Sequence, residues 1–178
     1  MKTLSLILFL SFMLTEARSQ ALLQKISGFH LGCSKSETQT AIVSRGGVQA
    51  ADLQEYKKLK YGDYTAEVKV NYVNGVSTDV TLTITPPFGK VTLKDFHGIR
   101  AQLDADYGPG KMFKEFRIPY VDGDGYEVDA VMVDKGTYSC SWSPGNTGAP
   151  AFVLMWIAAD GGIRVRYSQE PLPKRPGT

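Results

Sequence analysis

The chain has 178 residues, 43% of them hydrophobic, two cysteines and a formal net charge of +2. That length suffices for one domain with a sizeable core. The near-neutral balance excludes a polycationic nucleic-acid or acidic-membrane surface, and no apolar stretch is long enough for a transmembrane helix.

Lys2 supplies a short positive start, Leu4 to Leu14 an apolar run, and Ala17-Arg18-Ser19 small residues around a cleavage site. Residues 1–19 therefore read as a signal peptide, and the protein as secreted and extracellular. Residues 20–168 read as a single β domain and 169–178 as a disordered Pro-rich tail. No Asn-X-Ser/Thr acceptor for N-glycosylation occurs. In an oxidising compartment the two cysteines, Cys33 and Cys140, are expected to form a disulfide bond.

In chain order, Ala21 to Ile26 and Thr38 to Ser44 could each form a strand. Val48 to Lys60 is the one plausible helix, with Leu53, Tyr56 and Leu59 on a shared face. Tyr64 to Ile84 then alternates apolar and polar residues with period two, which predicts a hairpin with one buried face. Asn74-Gly75 suggests a two-residue loop, but that loop would set Tyr72 against Ser77 and mismatch the faces. A three-residue loop is the expectation, with Tyr72 opposite Val76, Val68 opposite Val80 and Lys69 opposite Asp79.

Pro86-Pro87-Phe88-Gly89 reads as a turn. Val91 and Leu93, then Ile99, Ala101 and Leu103, read as strand alternation interrupted by a bulge at 95–98. Further strands are expected at Met112 to Tyr120, Tyr126 to Met132, Tyr138 to Trp142, Ala151 to Ala159 and Ile163 to Tyr167. Turns at 107–110, 122–125, 135–136 and 160–162 and a loop at 143–150 separate them. The fold class expected is all-β: an antiparallel meander of about eight or more strands, forming a barrel or a two-sheet sandwich, with one short helix at most.

Several arrangements bear on chemistry. Asp95 and His97 would share a face of an extended segment, but no nucleophile elbow accompanies them. His30 and Cys33 have a chelating spacing without two further ligands. Asp122, Asp124, Glu127 and Asp129 could gather around calcium, although Asp-Gly-Asp-Gly is also turn chemistry. Asp104 and Asp106 could act as paired carboxylates. None amounts to a catalytic, metal or cofactor motif, and the chain does not read as an enzyme.

Asp134-Lys135-Gly136-Thr137-Tyr138-Ser139-Cys140 resembles the tyrosine-corner segment of immunoglobulin domains, which implies a sandwich. The other cysteine, Cys33, lies 107 residues upstream, however, and no tryptophan lies between the two. The layout of many short antiparallel strands also resembles that of lipocalins, without their Gly-x-Trp signature or C-terminal helix. Tyr64, Tyr72, Phe116, Tyr138 and Trp142, with Tyr120 and Tyr126, fall on the expected inner face. They suggest a ring-lined cavity. The functional expectation is a binding protein that holds a small apolar or aromatic molecule, with no cofactor. The alternative is a sandwich acting through surface loops on a glycan, receptor or membrane.

Overall fold

The computed structural model describes residues 21–52, 54–87, 89–144 and 150–170. Residues 1–20, which include the expected signal peptide, Leu53 of the expected helical face, Phe88, residues 145–149 of the expected loop and the chain beyond residue 170 lie outside them. One sheet of eight antiparallel strands organises the molecule. The strands are β1 (Val48–Gln49), β2 (Glu55–Tyr61), β3 (Tyr64–Val73), β4 (Val76–Thr85), β5 (Lys111–Phe116), β6 (Gly136–Trp142), β7 (Phe152–Ile157) and β8 (Ile163–Ser168). They lie in the order β1-β2-β3-β4-β8-β7-β6-β5. Two four-stranded meanders thus meet at the β4–β8 pair, and β1 and β5 are the free edges of an open sheet. It is neither the closed barrel nor the two-sheet sandwich that the strand count suggests.

Four helices, rather than one at most, complete the described chain: α1 (Ala21–Ser27), α2 (Lys35–Ser44), α3 (Leu93–Tyr107) and α4 (Glu127–Met132). The segment expected as an interrupted strand at 91–103 is the long helix. Thr92 and Asp95 form a capping box: Asp95 N donates to Thr92 Oγ1 at 3.3 Å, and Thr92 N donates to Asp95 Oδ2 at 2.7 Å. Phe96, Ile99 and Leu103 then recur at helical spacing and are buried. Ser34 and Glu37 open α2 in the same way.

The expected helix at 48–60 is instead β1, a turn and β2. A bulge explains the misreading. Lys58 takes a left-handed φ of 67°, and the β2–β3 register slips between Tyr56 and Leu59. Those two residues, three apart, therefore reach the same buried face, mimicking a helical stripe. The apparent strand at 126–132 is a short helix burying Glu127, Val128, Ala130 and Val131.

The β3–β4 hairpin keeps the two-residue Asn74-Gly75 loop, with both residues at positive φ (52° and 82°), as a twisted hairpin turn requires. Tyr72 does pair with Ser77. The face mismatch is cured by a register shift next to Asn71, after which Val70 pairs with Val80, Val68 with Leu82 and Asn71 with Asp79. The three-residue loop is thereby overturned, along with the pairings Val68–Val80 and Lys69–Asp79.

Cross-strand rows extend the apolar face. Leu82, Val165 and Met155 stand in one row and Ile84, Ile163 and Ile157 in the next, all buried. α3 lies against this face, with Phe96 edge-on to Tyr138 at 4.9 Å between ring centroids. Leu22, Leu23, Ile26, Phe29 and Leu31 join the same core.

Cys33 and Cys140 are both free, so the expected disulfide is not formed. Sheet order supplies the reason. Cys33 O accepts from Ser77 N at 2.9 Å, beside the start of β4, while Cys140 lies on β6. Three strand spacings, about 14 Å, separate those strands, and a bridge needs Cβ atoms about 4 Å apart.

Candidate functional site

The five residues expected to line one cavity fall in different places. Phe116 and Tyr138 lie together, 6.5 Å between ring centroids, inside the layer closed by α3. The Tyr138 hydroxyl lies 3.3 Å from His97 Nε2, and Lys114 Nζ lies 5.3 Å from the ring centroid. Trp142 Nε1 donates to Asp104 Oδ1 and to Gly108 O, each at 3.0 Å. Tyr72 belongs to the other end of the sheet. Its hydroxyl is buried beside those of Thr38 and Tyr56, near enough for the three to interact but without a hydrogen bond of good geometry. Burial pushes both phenols upward in pKa.

Tyr64 lines a groove that the other four do not reach. A groove of about 570 Å³ lies between the β2–β3 turn and the exposed flank of α3. The strands contribute Tyr61, Gly62 and Tyr64, the helix Lys94, Asp95, Gly98, Ile99 and Gln102, and α1 contributes Lys25. Tyr61 and Tyr64 stand with ring centroids 6.2 Å apart. Each phenol is tied to the helix: Tyr61 donates to Gln102 Oε1, and Tyr64 donates to Asp95 Oδ1 at 2.5 Å. With its oxygen accepting, Gln102 keeps its amide nitrogen as a donor.

The Asp95 hydrogen bond is the main reason that Tyr64 is pushed up to about 12. Burial pulls Asp95 upward, but hydrogen bonds from Tyr64 and Thr92 outweigh it and hold the carboxyl below its ordinary value. One carboxylate thus caps α3 and fastens it to β3, leaving no free base in the groove. Lys25 Nζ lies 5.5 Å from the Tyr61 ring centroid. Among the described residues neither Lys25 nor Lys94 makes an ion pair.

Gly98 has no packing explanation. It lies inside α3, and a Cβ built there would meet nothing within 4 Å. Glycine in a helix interior costs roughly 0.5–1 kcal/mol relative to alanine. Nothing in the packing requires it, and the space beside it belongs to the groove.

The remaining arrangements dissolve in the observed structure. On a helix Asp95 and His97 point about 200° apart, as do Asp104 and Asp106. Asp104 instead pairs with Arg100 at 3.2 Å and receives Trp142. Asp124 accepts from Val121 N and Tyr126 N, and Asp122 pairs with Lys114. Among the described residues no three carboxylates, histidines or cysteines gather as a metal site. His30 Nδ1 lies 3.6 Å from Cys33 Sγ and 2.8 Å from Leu31 O, an exposed local contact without further ligands.

Sequence reasoning missed Tyr61, Gly98, Gln102 and Lys25, because it assigned their segments to the wrong elements. The signal that could have found the helical members was Thr92-x-x-Asp95 followed by Phe96, Ile99 and Leu103. Comparisons with protein-family models, with curated proteins and with solved structures find no match for this chain.

Proposed function

We propose that the chain is an exported binding protein, not an enzyme, whose groove between the β2–β3 turn and α3 holds a small aromatic molecule bearing an acidic group. The observation that carries this reading is Gly98: a glycine in a helix interior, unneeded by packing, beside the groove. A glycine admits the close approach of a ligand that a Cβ would obstruct.

The groove's chemistry supports the ligand class. Its volume of about 570 Å³ falls in the range that small-molecule sites occupy. The two phenol rings present faces for a planar group. Lys25 and Lys94 supply cations for an acid, and the Gln102 amide supplies a neutral donor. Asp95 is engaged by Tyr64 and Thr92, so it does not compete for those lysines at hydrogen-bond range. Export rests on the reading of residues 1–19.

The test is a titration of the purified chain with salicylate, indoleacetate and hydroxycinnamate, with benzylamine as the cationic control. Saturable binding of at least one acid is expected. Lys25→Ala and Lys94→Ala should each weaken it by several-fold, as loss of a charge-assisted contact does. A folded chain that binds none of the acids, or binds benzylamine equally well, overturns the proposal.

A further inference from the structure

The sheet has a second face. Along β5, β6 and β7 it carries a groove of about 460 Å³ with Phe113, Thr137, Ser139, Ser141, Leu154 and Trp156 among its lining residues. We propose that this groove binds a neutral glycan, independently of the site beside α3.

Strand register sets out the pattern. Phe113, Ser139 and Trp156 form one cross-strand row, and Ser141 and Leu154 belong to the next. Phe113 and Trp156 therefore flank the central strand, roughly 9–10 Å apart at the backbone. Ser139 is recessed between them and only 9% exposed, while Phe113 is 43% exposed. Thr137 and Ser141 lie two residues either side of Ser139, so hydroxyls recur about every 7 Å along one face. The result is a polar floor between aromatic walls.

Three observations select the occupant. First, no lining residue is ionisable. Charges of both signs border it in the same cross-strand rows: Lys111 stands opposite Ser141, Glu115 opposite Thr137, and Arg164 and Arg166, tied to Asp160 and Asp79 at 2.6 Å each, opposite Trp156 and Leu154. A phosphate backbone, a sulfated chain or an acidic peptide would meet a border of mixed sign and no counter-charge within the groove itself. Second, β6 is paired on both sides, so its backbone groups are already used. An extended peptide gains affinity by adding main-chain bonds in the sheet plane at a free edge; the free edge here is the outer side of β5, and the groove lies over the face of the sheet instead. Third, a wholly apolar ligand would cover the hydroxyl row without hydrogen bonds, which is costly.

A pyranose meets all three conditions. Its axial C–H face suits the electron-rich faces of Trp156 and Phe113. Its hydroxyls exchange hydrogen bonds with serine and threonine, each of which both donates and accepts.

The experiment titrates the full chain with soluble neutral oligosaccharides of glucose, mannose, xylose and N-acetylglucosamine, read by calorimetry and tryptophan fluorescence. At least one should bind saturably and shift the emission of the half-buried Trp156. Trp156→Ala and, separately, Ser139→Ala should each weaken binding by about tenfold or more, about 1.4 kcal/mol. Ser139→Ala removes the hydroxyl and adds no bulk, so it remains decisive should Trp156→Ala disturb folding. Lys69→Ala, on the charged half of the same face, should leave binding unchanged. Failure of the whole panel to bind, or binding indifferent to both groove variants, overturns the proposal. So does self-association through this face that accounts for the fluorescence change. Because the oligosaccharides carry no acid, these outcomes stay separate from those of the aromatic-acid titration.

Discussion

Replacing Gly98 by alanine tests the link between helix energetics and the groove. In a helix interior the exchange is worth about 0.5–1 kcal/mol in favour of alanine, mainly through the unfolded chain's entropy. The new Cβ meets nothing within 4 Å, so no clash offsets that gain. For a domain of this size 1 kcal/mol corresponds to about 2–4 °C in Tm, which sets the expected rise at about 1–4 °C. The assay is paired: urea unfolding for stability, and titration with the best-binding aromatic acid for function. Stability should rise while affinity falls. Gly110→Ala is the internal contrast. A Cβ there would lie 2.4 Å from a ring carbon of the buried Trp142, so it should destabilise. A Gly98→Ala chain that melts lower than the parent, or that binds aromatic acids unchanged, would refute the assignment of Gly98 to ligand access.

Three further outcomes are expected. Tyr64 titrates near 12 in the folded chain against an ordinary 10; between those values the unfolded state has lost a proton that the folded state keeps, so stability falls as pH rises from 10 to 12. Tyr64→Phe should reduce that slope in pH-dependent urea unfolding, and a slope left unchanged would contradict the Asp95 contact. Mass spectrometry without reductant should show two free thiols; Cys33, half-buried, should react with a thiol reagent well before Cys140, which is buried and whose thiol burial pushes up. Trp142→Phe should cost about 1–3 kcal/mol in chemical denaturation, because Asp104 and Gly108 lose the indole donor they share in a partly buried setting.

The central hairpin and the later strands were legible because their alternation is strong and their turns carry Gly, Asn or Pro. Val68, Val70, Val80 and Leu82 are all fully buried, as period two requires. The register was not, because face matching admits two repairs, a longer loop or a bulge, and local composition does not distinguish them. The segment at 91–107 was misread since Val91 and Leu93 alternate over a stretch too short to tell a strand from a capped helix. The bulge at Lys58 concealed a strand for the opposite reason, placing Tyr56 and Leu59 at helical spacing. The groove was legible only through Tyr64. Its other members come from elements whose relative placement depends on the sheet order, a non-local property that no window of sequence contains. The expectation of a disulfide failed on the same ground: compartment and count speak to opportunity, and distance is decided by topology.

The β4–β8 seam has a consequence for how the chain is made. The first meander is complete once Thr85 is available, yet its β4 edge stays unpaired until Ile163–Ser168, the last strand in chain order, arrives. During vectorial synthesis, at roughly 5–20 residues per second, a half-sheet with an open flank therefore waits several seconds for its closing partner. Exposed strand edges of this kind recruit whatever strand is nearest. On a polysome that neighbour is the β8 of a copy just released from the ribosome ahead, and the product would be an exchanged dimer in which each first meander is completed by the other chain's second. Slowing elongation after residue 110 should raise the yield of such dimers, and diluting the message so that ribosomes rarely share it should abolish them.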